Sequence, residues 1–374
     1  AMPESDPAAL FPALAYPAIF PAFSVSPCQT EVFYLPLLLG MVQALAAAGQ
    51  AQSARAANRL LLLAMLLGGL ALQIKYMVLP FCAFAGAHAL WQVHGRMRRI
   101  APVAAAAAGF IVAGLAPTLA VAAFYLATGH FADFWFANFA SIFARGALSA
   151  AIQARMAETI AQSGAGIFAL ALAGLFFAMR GGRLPRGYGL VLGFAISGLV
   201  AFAMIGNLYT HYFAPAVPFL LLLAVPALSA GAPWLAAGAL LLAFLLVQAR
   251  IVPALAETRR GKGALAARAA TVRPLIGPGR CLWVFDGPSA LYLATGACIP
   301  TTRAYPDHLN NVMEDGATGV DAAAEVRRIL VSRPAAIVIA ERPLPIIPHW
   351  NPRTLALVRP ALARDYAPAG AILP

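Results

Sequence analysis

The sequence predicts an α-helical polytopic membrane protein of about nine transmembrane segments with a small C-terminal α/β domain. Three observations carry that reading. Hydrophobic residues fill 61% of the 374 positions and charged residues 11%, less than half of the ~25% typical of a soluble domain. The apolar residues lie in long runs without charge, such as 60–74, 102–128 and 191–205. Three short connectors carry arginine and no acid: Arg55 with Arg59, Arg96 with Arg98 and Arg99, and Arg180 with Arg183 and Arg186. Charge is costly at the bilayer centre, so spans exclude it and arginine gathers in cytoplasmic loops.

A helix crosses the hydrocarbon with about 20 apolar residues. On that ruler the segments are 7–24, 30–48, 58–74, 77–93, 101–127, 164–180, 188–206, 212–229 and 233–251. The third and fourth are short and meet at Gln73-Ile74-Lys75-Tyr76, where one broken element is an alternative to two crossings. An even number of crossings separates the arginine connectors. Glu31, Lys75, the 128–163 segment and 207–211 therefore share the outer side with the tail, and 1–251 forms the membrane domain. The 128–163 segment holds Asp133, Arg145, Arg155 and Glu158 among Phe131, Phe134, Trp135, Phe136, Phe139 and Phe143. It is expected to lie flat at the headgroup level, as an anchor or as a substrate-gripping loop.

The texture changes in 252–374. A buried strand is predicted at 281–286 and a short helix at 289–295 closed by Gly296. An amphipathic helix capped by Asp321 follows at 321–332, then a second strand at 335–340. This order suggests a parallel sheet in a periplasmic or extracellular domain. The formal charge of +12 does not indicate nucleic acid. Eight of the 26 basic residues sit in the three connectors, and the 14 after residue 250 are diluted by nine acids.

Ionisable groups at membrane depth are the candidates for function. Glu31 opens the second span, where it either sits beside a cap made by Thr30 or Gln29 or serves substrate. Lys75, the sole lysine before residue 262, either snorkels or holds a phosphate, and its place at a helix junction favours the phosphate. Tyr209, His211 and Tyr212 precede Pro215 and Pro218 at a span mouth; they read as phosphate or sugar contacts or as an aromatic belt. Cys28 and Cys82 read as buried thiols. Cys281 and Cys298 share the outer domain, where a disulfide is permitted but not required. No spacing indicates a metal or cofactor, and Gly261-Lys262-Gly263 lacks the strand–loop–helix context of a phosphate loop.

Three strings resemble bacterial family 39 glycosyltransferases of the GT-C superfamily, relatives of the protein O-mannosyltransferases and lipid A aminoarabinose transferases. They are Gln29-Thr30-Glu31-Val32-Phe33, the run from Gly68-Gly69 to Gln73-Ile74-Lys75, and His211-Tyr212-Phe213-Ala214-Pro215-Ala216-Val217-Pro218. In the tail, Trp283-Val284-Phe285-Asp286, Leu291–Gly296 and Tyr305-Pro306-Asp307-His308-Leu309 are similar to the outer domain of such proteins. The resemblance implies transfer of a sugar, with inversion, from a polyprenyl-phosphate donor to a lipid, glycan or protein acceptor outside a bacterial cytoplasmic membrane. It places Lys75, His211 and Tyr212 at the donor phosphate and Glu31 at the outer rim of the cavity. The family's catalytic acid follows its first span; nothing before Gln29 matches that loop. The catalytic residue is therefore unknown, and the chain is expected to lack its N-terminal spans. A transporter or flippase of lipid-linked saccharides is the rival reading, but the inverted repeats it requires are not visible. A non-catalytic membrane scaffold is the third.

Overall fold

The computed structural model describes residues 7–19, 23, 29–180, 182, 184–248, 251–343 and 349–370. Cys28 lies outside them. The chain divides into two compact units: Ala1–Ala127 with Gln153–Ile251, and Thr128–Ile152 with Val252–Pro374. In chain order the helices of the first part are α1 (Pro7–Ile19), α2 (Thr30–Gln50), α3 (Ala54–Ile74), α4 (Leu79–Met97) and α5 (Ile100–Ala127). Next come α6 (Phe131–Trp135), α7 (Ser141–Ala144), α8 (Ala150–Arg180), α9 (Tyr188–Met204), α10 (Val217–Leu228), α11 (Ala232–Gln248) and α12 (Ile251–Val272). The tail continues with β1 (Leu282–Val284), α13 (Ala290–Thr295), α14 (Asp307–Asn310), α15 (Ala322–Val331), β2 (Ala336–Val338) and α16 (Pro352–Asp365).

Among the described residues, six helical stretches are long and apolar enough to cross a membrane: Thr30–Gln50, Ala54–Ile74, Tyr76–Met97, Ile100–Ala127, Ala150–Arg180 and Thr210–Leu228. Of the nine expected segments the other three are shorter helices, α1 with 13 residues and α9 and α11 with 17 each. The 73–76 junction is a true break between two helices. Lys75 is extended, a 3-10 turn spans Tyr76–Val78, and Pro80 occupies the first turn of α4. Proline suits that place, because its missing N–H is not needed there.

The helices approach one another through small residues. A Cβ added to Gly69 of α3 would lie 2.1 Å from the Gly114 carbonyl oxygen of α5, and one on Gly68 would lie 3.1 Å from Met41 Sδ of α2. Such glycines let backbones meet where lipid offers no hydrophobic drive to association. Gln73 Nε2 donates to Thr118 Oγ1 at 2.6 Å and to the Gly69 carbonyl, which adds a polar tie between α3 and α5. Phe81, Phe194 and Phe219 bring α4, α9 and α10 together, with ring centroids 5.2–6.0 Å apart.

The first two arginine connectors meet. Arg96 of α4 donates to the carbonyls of Ala48 and Ala51, and Gln92 donates to Leu45 at 2.9 Å. These bonds tie the C-terminal turns of α2 to α4, and the carbonyl of Ala51, just past the end of α2, gains a partner there. Arg55 and Arg59 stand on the first turns of α3 rather than in a loop.

The second unit holds two parallel strands, with Leu282, Trp283 and Val284 opposite Ala336, Ile337 and Val338. The second strand is shorter than the expected 335–340. Trp283, Phe285, Leu309, Val326, Ile329 and Val358 form its principal core. Asp321 Oδ1 accepts from Ala324 N at 2.9 Å as the cap of α15, and left-handed Gly296 (φ 71°) ends α13. Cys281 and Cys298 are joined by a disulfide.

The aromatic stretch departs from expectation. Its helical part ends at Ala144, and α8 begins at Ala150, so Arg155 and Glu158 lie on a 31-residue helix instead of a flat loop reaching 163. Residues 128–152 pack with the tail. Gly146 N donates to the Met313 carbonyl at 2.8 Å, Arg145 pairs with Glu314 at 3.4 Å, and the Phe136 ring covers Gly319. Of the aromatic side chains that resemble a headgroup belt in sequence, Phe136 thus packs against a distant segment, while Phe131, Trp135 and Phe143 stay exposed.

Candidate functional site

All five side chains singled out in the membrane domain come together. Glu31 stands in the first turn of α2, Lys75 in the break between α3 and α4, and Tyr209, His211 and Tyr212 in and beside the 3-10 turn leading to α10. Lys75 Nζ donates to Glu31 Oε1 at 2.6 Å. It also sits 4.3 Å from the centre of the Tyr212 ring, within range of a cation–π contact. His211 meets Tyr212 edge-on with centroids 4.4 Å apart, and Tyr209 lies 5.4 Å from Tyr212 and 5.5 Å from His211.

Each position has a local cause. Val78 N donates to the Lys75 carbonyl and Lys75 N to the Ala71 carbonyl, which turns the extended lysine between two helices. Phe213 fixes the 210–216 turns by packing its buried ring against Phe23, Phe168 and Phe202. Gly198 of α9 lets Ala216 approach; a Cβ there would lie 2.8 Å from the Ala216 backbone.

Several expectations change here. Glu31 is completely buried, with its charge compensated by the ammonium of Lys75. Gln29 forms no side-chain cap, and the Thr30 hydroxyl donates to Glu31 Oε2 at 3.3 Å instead of capping α2. Lys75 does not simply snorkel: its side chain keeps 22% exposure while its tip turns inward to Glu31. That leaves ammonium N–H groups able to serve a ligand. Cys82 is half-buried rather than fully enclosed.

Sequence reasoning missed Tyr34, fully buried one helical turn after Glu31, and Tyr16 of α1, both within electrostatic reach of that carboxylate. The available signal was the i, i+3 spacing of a tyrosine from an acid in an apolar run. The cluster lies at the end of α2 away from Arg96. Twenty-one residues of helix separate the two ends, or ~30 Å at the α-helical rise. α9 runs back from the tyrosine cluster to Gly187, so the third arginine connector also starts from the far end.

In the second unit, Trp350 and Asn310, the residue after the Tyr305–Leu309 string, converge on the end of β1. Asp286 accepts from Trp350 Nε1 at 2.6 Å, and Asn310 Nδ2 holds the Phe285 carbonyl at 2.7 Å. Burial pushes the Asp286 carboxyl up, against the hydrogen bonds from Trp350, Gly287 and Asn310. Asp307 is also raised, by burial first and then by the Asp286 and Glu314 carboxylates. Burial lowers His308. Among the described residues no cluster of three or more His, Cys, Asp or Glu side chains has the form of a metal site.

The helices define the class: a helical, multi-pass membrane protein. No protein-family model, curated protein or solved structure matches the chain.

Proposed function

We propose that the chain is a glycosyltransferase of the bacterial cytoplasmic membrane, using a polyprenyl-phosphate-linked sugar as donor on the outer face. The observation that carries the reading is the convergence of Lys75, His211, Tyr209 and Tyr212 at one end of the helical unit, away from the arginine connectors. A lipid-linked phosphate enters from the bilayer and meets its headgroup contacts at such an end. Lys75 supplies charge and N–H donors, while Tyr209 and His211 supply hydrogen-bonding edges. In the reaction the bond from the anomeric carbon to the phosphate oxygen breaks. The acceptor oxygen bonds from the opposite face, its proton passes to a base, and fixed cationic donors stabilise the departing phosphate. No residue of the chain is assigned as that base. The arginine connectors support a cytoplasmic assignment for the far end and an outer one for the cluster and the tail.

A second reading, a membrane scaffold without donor binding, draws support from the mutual charge neutralisation of Glu31 and Lys75. Titrating the full chain in nanodiscs with decaprenyl phosphate separates the two. Saturable binding that falls at least tenfold in a folded Glu31→Gln/Lys75→Gln variant supports the transferase reading. Absence of binding, or binding unaltered in that variant, removes the donor site.

A further inference from the structure

A cavity of the second unit, about 980 Å³, lies between α12, β2, the end of α16 and residues 366–370. Its size is at the upper end of ligand pockets. It shares no lining residue with the donor cluster, and nothing in the proposed reaction uses it. Three guanidinium groups line it, from Arg268 of α12, Arg280 before β1 and Arg333 before β2. Of the other arginines in the unit, Arg145 pairs with Glu314, Arg328 with Glu325, Arg353 with Asp315 and Asp321, and Arg364 with Asp365, while Arg273 and Arg303 donate to carbonyls. The three in the cavity wall have no ion pair among the described residues. Arg268 Nε is buried without a hydrogen-bond partner there, and Arg280 donates only to the Arg333 carbonyl.

The two lining acids are already engaged, Asp286 by Trp350 and Asp365 by Arg364. Arg333 occupies a left-handed position (φ 49°) directly after α15, where a glycine is the usual choice. The walls between the guanidiniums are apolar, from Val272, Leu275, Ile337, Ile339 and Leu362. Free cationic forks above an apolar floor suit a planar or tetrahedral anion attached to a less polar body.

We propose that this cavity binds an organic phosphate, with Arg268 and Arg333 gripping the phosphate and Arg280 closing the basic wall. Two sources share that chemistry, a phosphorylated saccharide and the headgroup of an anionic lipid. The test uses the full chain. Glucose 1-phosphate is titrated calorimetrically into the chain in phosphatidylcholine nanodiscs, and retained phosphatidylglycerol is counted by native mass spectrometry after detergent extraction.

Arg268→Gln/Arg333→Gln is expected to weaken glucose 1-phosphate binding at least tenfold, or to lose one retained lipid. Arg359→Gln, an exposed site on α16, removes one charge elsewhere and leaves both readings unchanged. Arg268→Lys/Arg333→Lys keeps the charges but not the planar forks, so it binds more tightly than the Gln double variant and more weakly than the wild type. Binding of the sugar phosphate assigns a saccharide ligand, and loss of a retained lipid assigns a headgroup. Neither probe binding, equal binding in the Gln double variant, or a Lys variant as weak as it would overturn the proposal.

Discussion

Replacing Lys75 with Met should destabilise the helical unit more than replacing Glu31 with Gln. The asymmetry comes from burial: the Glu31 side chain has no exposure, whereas Lys75 retains 22%. Without Lys75 the carboxylate loses its 2.6 Å partner, while the Thr30 hydroxyl at 3.3 Å remains. Removing one partner of a buried ion pair costs about 3–5 kcal/mol. In Glu31→Gln the ammonium can turn to water, and the amide fills nearly the same volume as the carboxylate. The loss should then approach that of one hydrogen bond to a charged group, about 1.5–3 kcal/mol. The double variant exposes the coupling directly. Residues in contact couple by about 0.5–3 kcal/mol, and this pair belongs in the upper half of that range. Denaturant unfolding of the four proteins in one detergent gives the cycle. Single effects that add to within about 0.5 kcal/mol would refute the pairing, and a Glu31→Gln loss larger than that of Lys75→Met would refute the burial argument.

Four further outcomes follow from other parts of the molecule. Gly69→Ala drives a methyl against the Gly114 carbonyl and should cost at least the ~1–3 kcal/mol of overpacking; in Gly86→Ala, where nothing lies within 4 Å, thermal unfolding should be unchanged or later. Cys281→Ser/Cys298→Ser opens a link across 17 residues and should lower the stability of the second unit by about 3 kcal/mol, read as faster limited proteolysis of the tail. Because folding raises the Asp307 pKa above its unfolded value, the ionised side chain opposes folding, and its contribution worsens as pH climbs from the unfolded value through the folded one. Asp307→Asn should therefore stabilise the protein at pH 8 and match the wild type near pH 3, by denaturant titration at the two pH values; equal stability gains at both would contradict the sign. A cysteine at Leu293, which is 90% exposed, should react with a membrane-impermeant maleimide from outside intact cells, and labelling only after lysis would reverse the proposed orientation.

Local signals in the sequence were legible where one short segment decides the outcome. Asp321 caps α15 with its own side chain, Gly296 closes α13, and both strands of the small sheet appear where β-branched and aromatic residues cluster. The break at Lys75 was visible as a polar interruption followed by Pro80. Pairings between distant segments were not. Lys75 and Glu31 are 44 positions apart, and whether an acid in a first turn caps its helix or binds a lysine depends on which helix packs beside it. The start of α8 was misplaced for a related reason. Charge at Arg155 and Glu158 ends an apolar run without ending a helix, since backbone hydrogen bonding continues wherever polar side chains can reach a polar surrounding.

The aromatic stretch at 128–152 has a consequence for biosynthesis. Its partners Met313, Glu314 and Gly319 lie about 170–180 residues later, which at about 5–20 residues per second leaves it waiting roughly 8–37 s on the ribosome before they exist. During that interval Phe136 has no Gly319 to cover and Arg145 has no Glu314. The nascent segment must shelter against lipid or a chaperone, then exchange that cover for the tail. Truncations that remove the last hundred residues would make the temporary state permanent, so they should be cleared by quality control even though every long apolar helix is intact.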